Sequence, residues 1–89
     1  MITLPEPIVE RTTLPQEVRR HVSNFIGLMN SPEGYISLKT VFPYGDGERL
    51  LGRLKGSWTV TTDSAVMFRW EFKGVLLDRP VYLYGDEEL

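Results

Sequence analysis

The segment from Gly56 to Gly74, GSWTVTTDSAVMFRWEFKG, constrains the fold more than any other part of this chain. Trp58, Val60 and Thr62 alternate with Ser57, Thr59 and Thr61. Beyond a polar turn at Asp63-Ser64, Val66, Phe68, Trp70 and Phe72 alternate with Met67, Arg69, Glu71 and Lys73. Alternation with a period of two on both sides of a turn predicts a β-hairpin. Its second strand presents a row of large apolar side chains on one face, and each aromatic member brings about 150–250 Å² of surface that must be buried, so that face needs a cover. The opposite face, with Arg69, Glu71 and Lys73, tolerates water.

The cover is predicted upstream. Thr13-Leu14-Pro15-Gln16 reads as a helix start, with a hydroxyl at the N-cap, a proline in the first turn and a glutamine at the third position. Leu14, Val18, Val22, Phe25, Ile26 and Met29 then recur at helical spacing, with Arg19, Arg20 and Ser23 on the other side. Pro32 and Gly34 stop the helix.

Further strands follow at Tyr35–Phe42 and at Val81–Tyr84, and Arg49–Lys55 fits a short strand better than a helical turn. Pro80, which has no N–H to give a ladder, predicts an edge position for the last strand. Residues 1–12 form an extended arm: Pro5 and Pro7 exclude a helix, while Ile2, Leu4, Ile8 and Val9 suit either an edge strand on their own domain or an arm docked on another subunit. Residues 86–89 read as a frayed acidic end. The expected architecture is a single two-layer α+β domain over 13–85, one N-terminal amphipathic helix on a four- to five-stranded antiparallel sheet, which on strong curling becomes a small barrel closed at one end by the helix.

Composition narrows the function classes. The chain has 89 residues, 42% hydrophobic and 25% charged, as ordinary globular domains do. Ten basic and twelve acidic residues leave a net charge of −2, which provides no global attraction for a phosphate backbone and disfavours nucleic acid as the general partner. Without cysteine there is no disulfide, no thiolate nucleophile and no zinc site built on sulfur. The N-terminus lacks the basic and apolar regions of a secretory signal, and no apolar run reaches the roughly 18–20 residues of a membrane span. The expectation is a cytoplasmic protein without membrane attachment.

No catalytic, metal or cofactor site is expected. His21 is the only histidine and reads as a boundary residue beside Val18 and Val22. Ser37, Ser57 and Ser64 lack a nucleophile-elbow context. Asp46 and Glu48, and likewise Asp86-Glu87-Glu88, lack the ligand series of a calcium loop, and Gly45, Gly47 and Gly52 are not followed by the Lys-Ser/Thr of a phosphate loop.

Two surface features remain. Arg49, Arg53 and Lys55 form a basic run to which a sheet could add Arg69 and Lys73. Here Leu54-Lys55-Gly56-Ser57-Trp58-Thr59-Val60 and Phe68-Arg69-Trp70-Glu71 resemble the Lys-Gly-x-Trp-Ser-Ile and Phe-Arg-Phe/Trp-Glu stretches of HigB/RelE-type ribosome-dependent mRNA interferases. The resemblance covers a minor part of the chain; it implies RNA as a substrate and carries a functional role over only to Lys55 and Arg69. The second feature is aromatic: Tyr35, Tyr44, Tyr82 and Tyr84 combine apolar bodies with polar tips and suit a recognition surface. The leading expectation is a small non-enzymatic protein-interaction module, a regulatory subunit or an inhibitor of a larger assembly. It would bind a protein, a second copy of itself included, through a sheet edge and the tyrosine-bearing face beside it, with Ile2, Leu4, Tyr82 and Tyr84. An RNA-acting toxin-like domain is the alternative.

Overall fold

The computed structural model describes residues 6–45 and 47–89. Ile2, Leu4 and Asp46, which figure in the expectations above, lie outside the described residues. The elements are β1 (Ile8–Arg11), α1 (Gln16–Met29), β2 (Glu33–Tyr44), β3 (Glu48–Val60), β4 (Val66–Leu76) and β5 (Arg79–Glu88). They form one helix and one five-stranded sheet of order β1-β5-β4-β3-β2.

The sheet is mixed, which corrects the purely antiparallel expectation. β2 to β5 form an antiparallel meander, and β1 pairs parallel to β5, with Ile8 opposite Val81 and Arg11 opposite Tyr84. Parallel pairing needs a long crossover, and the sequence between Ile8 and β5 is the rest of the domain, so no local signal announces it. The last strand is consequently interior. Pro80 is accommodated because β1 begins opposite Val81, one residue past it, and the ring's missing N–H falls beyond the end of that ladder. The expected acidic fray is strand instead: Asp86, Glu87 and Glu88 pair with Arg69, Phe68 and Met67.

Arg49–Lys55 is strand, continuous through Gly56 to Val60. The predicted hairpin holds in register, with Trp58 opposite Phe68, Gly56 opposite Trp70 and Leu54 opposite Phe72. These residues, with Ile36, Phe42, Leu50, Val81 and Leu83, face a common core that receives Val18, Val22 and Ile26 from the helix and Leu14 from the segment just before it. Phe25 lies at its border, edge-on to Trp58 at 6.1 Å. Met29 is exposed, contrary to the stripe, because it is the last helical residue and Asn30 turns the chain away in the left-handed region (φ 49°).

The helix does not start on the expected capping box. Its N-cap is Pro15, without a side-chain cap. In place of Thr13, the far end of the chain serves: the Glu87 carboxylate accepts the Leu14 N–H at 2.7 Å, setting a negative charge where the helix dipole is positive. Gly85 permits this crossing. A Cβ there would stand 2.4 Å from the Thr12 carbonyl oxygen, so only glycine lets the β1–α1 connection pass over β5.

The rest of the core is covered by the sheet itself. Phe42, on edge strand β2, lies 4.9 Å from Phe72 and 5.7 Å from Trp70, both on β4. Contact across the intervening β3 requires strong coiling, and Gly52 opposite Gly74 supplies the hinge: a Cβ on Gly52 would be 2.1 Å from the Lys73 carbonyl oxygen. The curl carries Tyr44 of β2 to β1 at the opposite edge, where its hydroxyl donates to Glu10 at 3.1 Å. Burial and then this hydrogen bond raise the Tyr44 pKa. Tyr44 thus belongs to the closure of the covered face and is not part of the tyrosine recognition surface predicted from sequence.

Candidate site on the uncovered sheet face

The helix and the curled β2–β3 end occupy one face of the sheet. Strand alternation sends every intervening side chain to the other face, and the pairing registers arrange these into rows running across the strands. Three rows matter.

The first row, Tyr35–Ser57–Arg69–Asp86, and its neighbour Lys55–Glu71–Tyr84–Arg11 flank a concave trough of about 520 Å³. Tyr82 also lines it. Asp86 organises one wall, pairing with Arg69 at 2.9 Å and Arg11 at 3.7 Å. Glu71 organises the other by accepting the Tyr82 hydroxyl at 2.6 Å, which together with desolvation raises the Tyr82 pKa. The Tyr82 and Tyr84 rings stand 5.8 Å apart.

The second row is Lys39–Arg53–Lys73, three cations directly opposite one another on β2, β3 and β4. The described residues contain two ion pairs, both to Asp86, and none involves this row. Arg53 donates to the neutral Ser37 hydroxyl at 3.1 Å, and the Lys73 ammonium lies 5.9 Å from the Tyr82 ring centre. The third row, Val41–Leu51–Val75, is apolar and open to water, with Leu51 71% and Val75 55% exposed.

The sequence-derived residues are therefore partly reunited. Lys55, Arg69, Tyr82 and Tyr84 line the one trough, Arg53 sits in the adjoining row, and Arg49 lies apart near the β2–β3 turn, opposite Pro43. Tyr82 and Tyr84 lie on the sheet's open face, on a strand flanked on both sides by β1 and β4, so the edge beside them is not that of β5 itself. Sequence reasoning missed Arg11, which arrives only through the parallel β1–β5 pairing, and missed Lys39 and Leu51. The signal for the latter two was present in the outward positions of the β2 and β3 alternation, once Arg49–Lys55 is taken as strand.

His21 lies on the exposed side of the helix, away from these rows. Among the described residues no group of three metal-ligating side chains converges. Among the described residues no helix is long and apolar enough to cross a membrane. Comparison of the chain with protein-family models, with curated proteins and with solved structures finds no match.

Proposed function

We propose that the chain is a small non-enzymatic binding module that engages a protein partner through the uncovered face of its sheet. One observation carries this reading: the covered face is sealed by α1 and by the curled hairpin, whereas the other collects Tyr35, Tyr82 and Tyr84 around a trough walled by Arg11 and Arg69. Tyrosine and arginine at the centre of a concave patch are the residues that dominate binding energy at protein interfaces. They contribute little to this domain's own stability, since Arg69 and Arg11 make exposed ion pairs of the kind worth about 0–1 kcal/mol. A photo-crosslinking residue placed at Tyr84 should capture a discrete protein in cells, and one placed at Arg20, on the exposed side of the helix, should not. Adducts from Arg20 and none from Tyr84 would refute the face assignment.

A second reading has its own support, because Lys55 and Arg69, the positions brought out by the mRNA-interferase resemblance, share this trough. Under that reading, expression should arrest bacterial growth and Arg69→Ala should relieve the arrest while the domain stays folded. Unimpaired growth disposes of it.

A further inference from the structure

The cation row Lys39–Arg53–Lys73 runs against the stability of the sheet. Like charges directly opposite on neighbouring strands repel, and here two such contacts are stacked in series over about 10 Å, the width of two strand spacings. The chain as a whole is acidic, at −2, so the row is a local concentration and not the overflow of a basic composition. Arg11 and Arg69 share the Asp86 carboxylate, but none of the described carboxylates reaches Lys39, Arg53 or Lys73. Along the same strands, two residues or about 7 Å to one side, lies the exposed aliphatic row Val41–Leu51–Val75. An unpaired cation row bordered by exposed aliphatic side chains is complementary to a ligand that carries carboxylates and aliphatic groups side by side.

We infer that the uncovered face binds an amphipathic acidic segment of a partner protein, its carboxylates on Lys39, Arg53 and Lys73 and its aliphatic side chains on Leu51 and its row neighbours. This rests on the reading that the face binds protein, and it names the partner's chemistry. A peptide fits better than a nucleic acid for two reasons. A polynucleotide carries a phosphate at every residue and would bring some of them over Glu71 and Asp86 in the adjoining trough, whereas a peptide can place neutral residues there. Bases also stack on aromatic rings and gain nothing specific from valine and leucine, so the aliphatic row would be wasted on them.

Fluorescence anisotropy with the intact chain tests this, using a labelled peptide of Glu and Leu, a matching peptide of Lys and Leu, and an oligouridylate. The wild type should bind the Glu/Leu peptide in preference to both others, with an affinity that weakens with salt but does not vanish, because the aliphatic contact is not screened. Arg53→Glu should weaken that binding about tenfold or more, the combined effect of one lost and two newly competed ion contacts. Reversing Lys39, Arg53 and Lys73 together to Glu should invert the preference toward the Lys/Leu peptide, a gain of binding that unfolding cannot mimic. Equal binding of the Glu/Leu peptide by wild type and Arg53→Glu, or no binding by the wild type, overturns the inference. Preference for oligouridylate overturns it in favour of nucleic acid. Crosslinks from Tyr84 together with failure of the acidic peptide would leave the binding face standing and remove only the partner class.

Discussion

Along β4, Phe68, Trp70 and Phe72 are exposed by 1%, 2% and 0%, while Met67, Arg69 and Lys73, which alternate with them, are open to water. The two faces of the sheet are thus made from the same strands in strict alternation, and they are selected by different demands. On the covered face every large side chain has neighbours: Trp58 meets Phe25 of the helix, Phe72 meets Phe42 of the curled hairpin, and glycine is used where the backbone itself comes close. On the open face side chains are placed at some cost, with three cations in register and Leu51 left in water. A face that satisfies its own contacts explains stability. A face that leaves its charges and aliphatic groups unmet is what the proposed binding draws on.

The sharpest way to break this comparison is to truncate the same strand on each side. Trp70→Ala should cost about 3–5 kcal/mol, a large fraction of what a small domain has, and leave the protein mostly unfolded in a urea or circular-dichroism titration. Lys73→Ala, three residues away on the other face, should leave the midpoint nearly unchanged. Comparable losses from the two would show that the open face is structural after all.

Next in size is Gly85→Ala. The added methyl would meet the Thr12 carbonyl oxygen at 2.4 Å and the Trp70 ring at 3.1 Å, so the β1–α1 connection must shift. The expected loss is about 1–3 kcal/mol, the usual range for overpacking, with hydrogen exchange at the Thr12 amide accelerated ahead of the meander because that amide donates to Tyr84. An unaltered exchange rate at Thr12 would mean that glycine is not what permits the crossing.

What the sequence made legible divides along the same line. The covered face was readable because burial leaves a period: 2 in β4 and 3.6 in α1; Arg49–Lys55, where Leu50 and Leu54 point inward and the adjacent Leu51 outward, carries the same period of 2 less plainly. What was not readable depends on contacts between distant residues. Thr13 looked like the cap, yet Glu87, over seventy residues on, takes the Leu14 amide. Pro80 looked like an edge marker, yet β1 pairs with this strand and makes it interior, and the proline is tolerated because that ladder begins one residue past it. The site was legible as residue types, Tyr82, Tyr84, Lys55 and Arg69, but not as a place. The rows exist only in the registers between strands, and no single strand of sequence contains one.

A smaller effect, opposite in sign, separates the faces further. Arg53→Glu converts a row of three like charges into an alternating one, Lys39–Glu–Lys73, so it should stabilise the domain by about 0.2–1 kcal/mol, raising the thermal midpoint by a few degrees at low salt and less at high salt. The same variant is expected to lose acidic-peptide binding. Stability gained where binding is lost is the signature of a functional surface. A fall in the midpoint would mean that Arg53 is held by something more than the Ser37 hydroxyl.

The smallest effect concerns a single proton on the open face. The Tyr82 hydroxyl donates to the Glu71 carboxylate at 2.6 Å, and this hydrogen bond, with desolvation and the charge of Glu71, raises the Tyr82 pKa above its ordinary value of 10.0. The sign of its contribution follows. Because the folded value lies above the unfolded one, the hydrogen bond favours the folded state fully below pH 10, and the benefit disappears as the pH climbs through the folded value and the phenol ionises beside Glu71. Around neutral pH this group should therefore make no contribution to the pH dependence of stability. Following the Tyr82 ring carbon by NMR from neutral to strongly alkaline pH should give a midpoint above 10 in the wild type and a lower one in Glu71→Ala, where the acceptor and its charge are both gone. The Tyr44 midpoint, which is raised by burial and by Glu10 on the covered face, should not move in that variant. Were Tyr44 to move with Tyr82, the two faces would be coupled through the sheet, and treating them as separately selected surfaces would be mistaken.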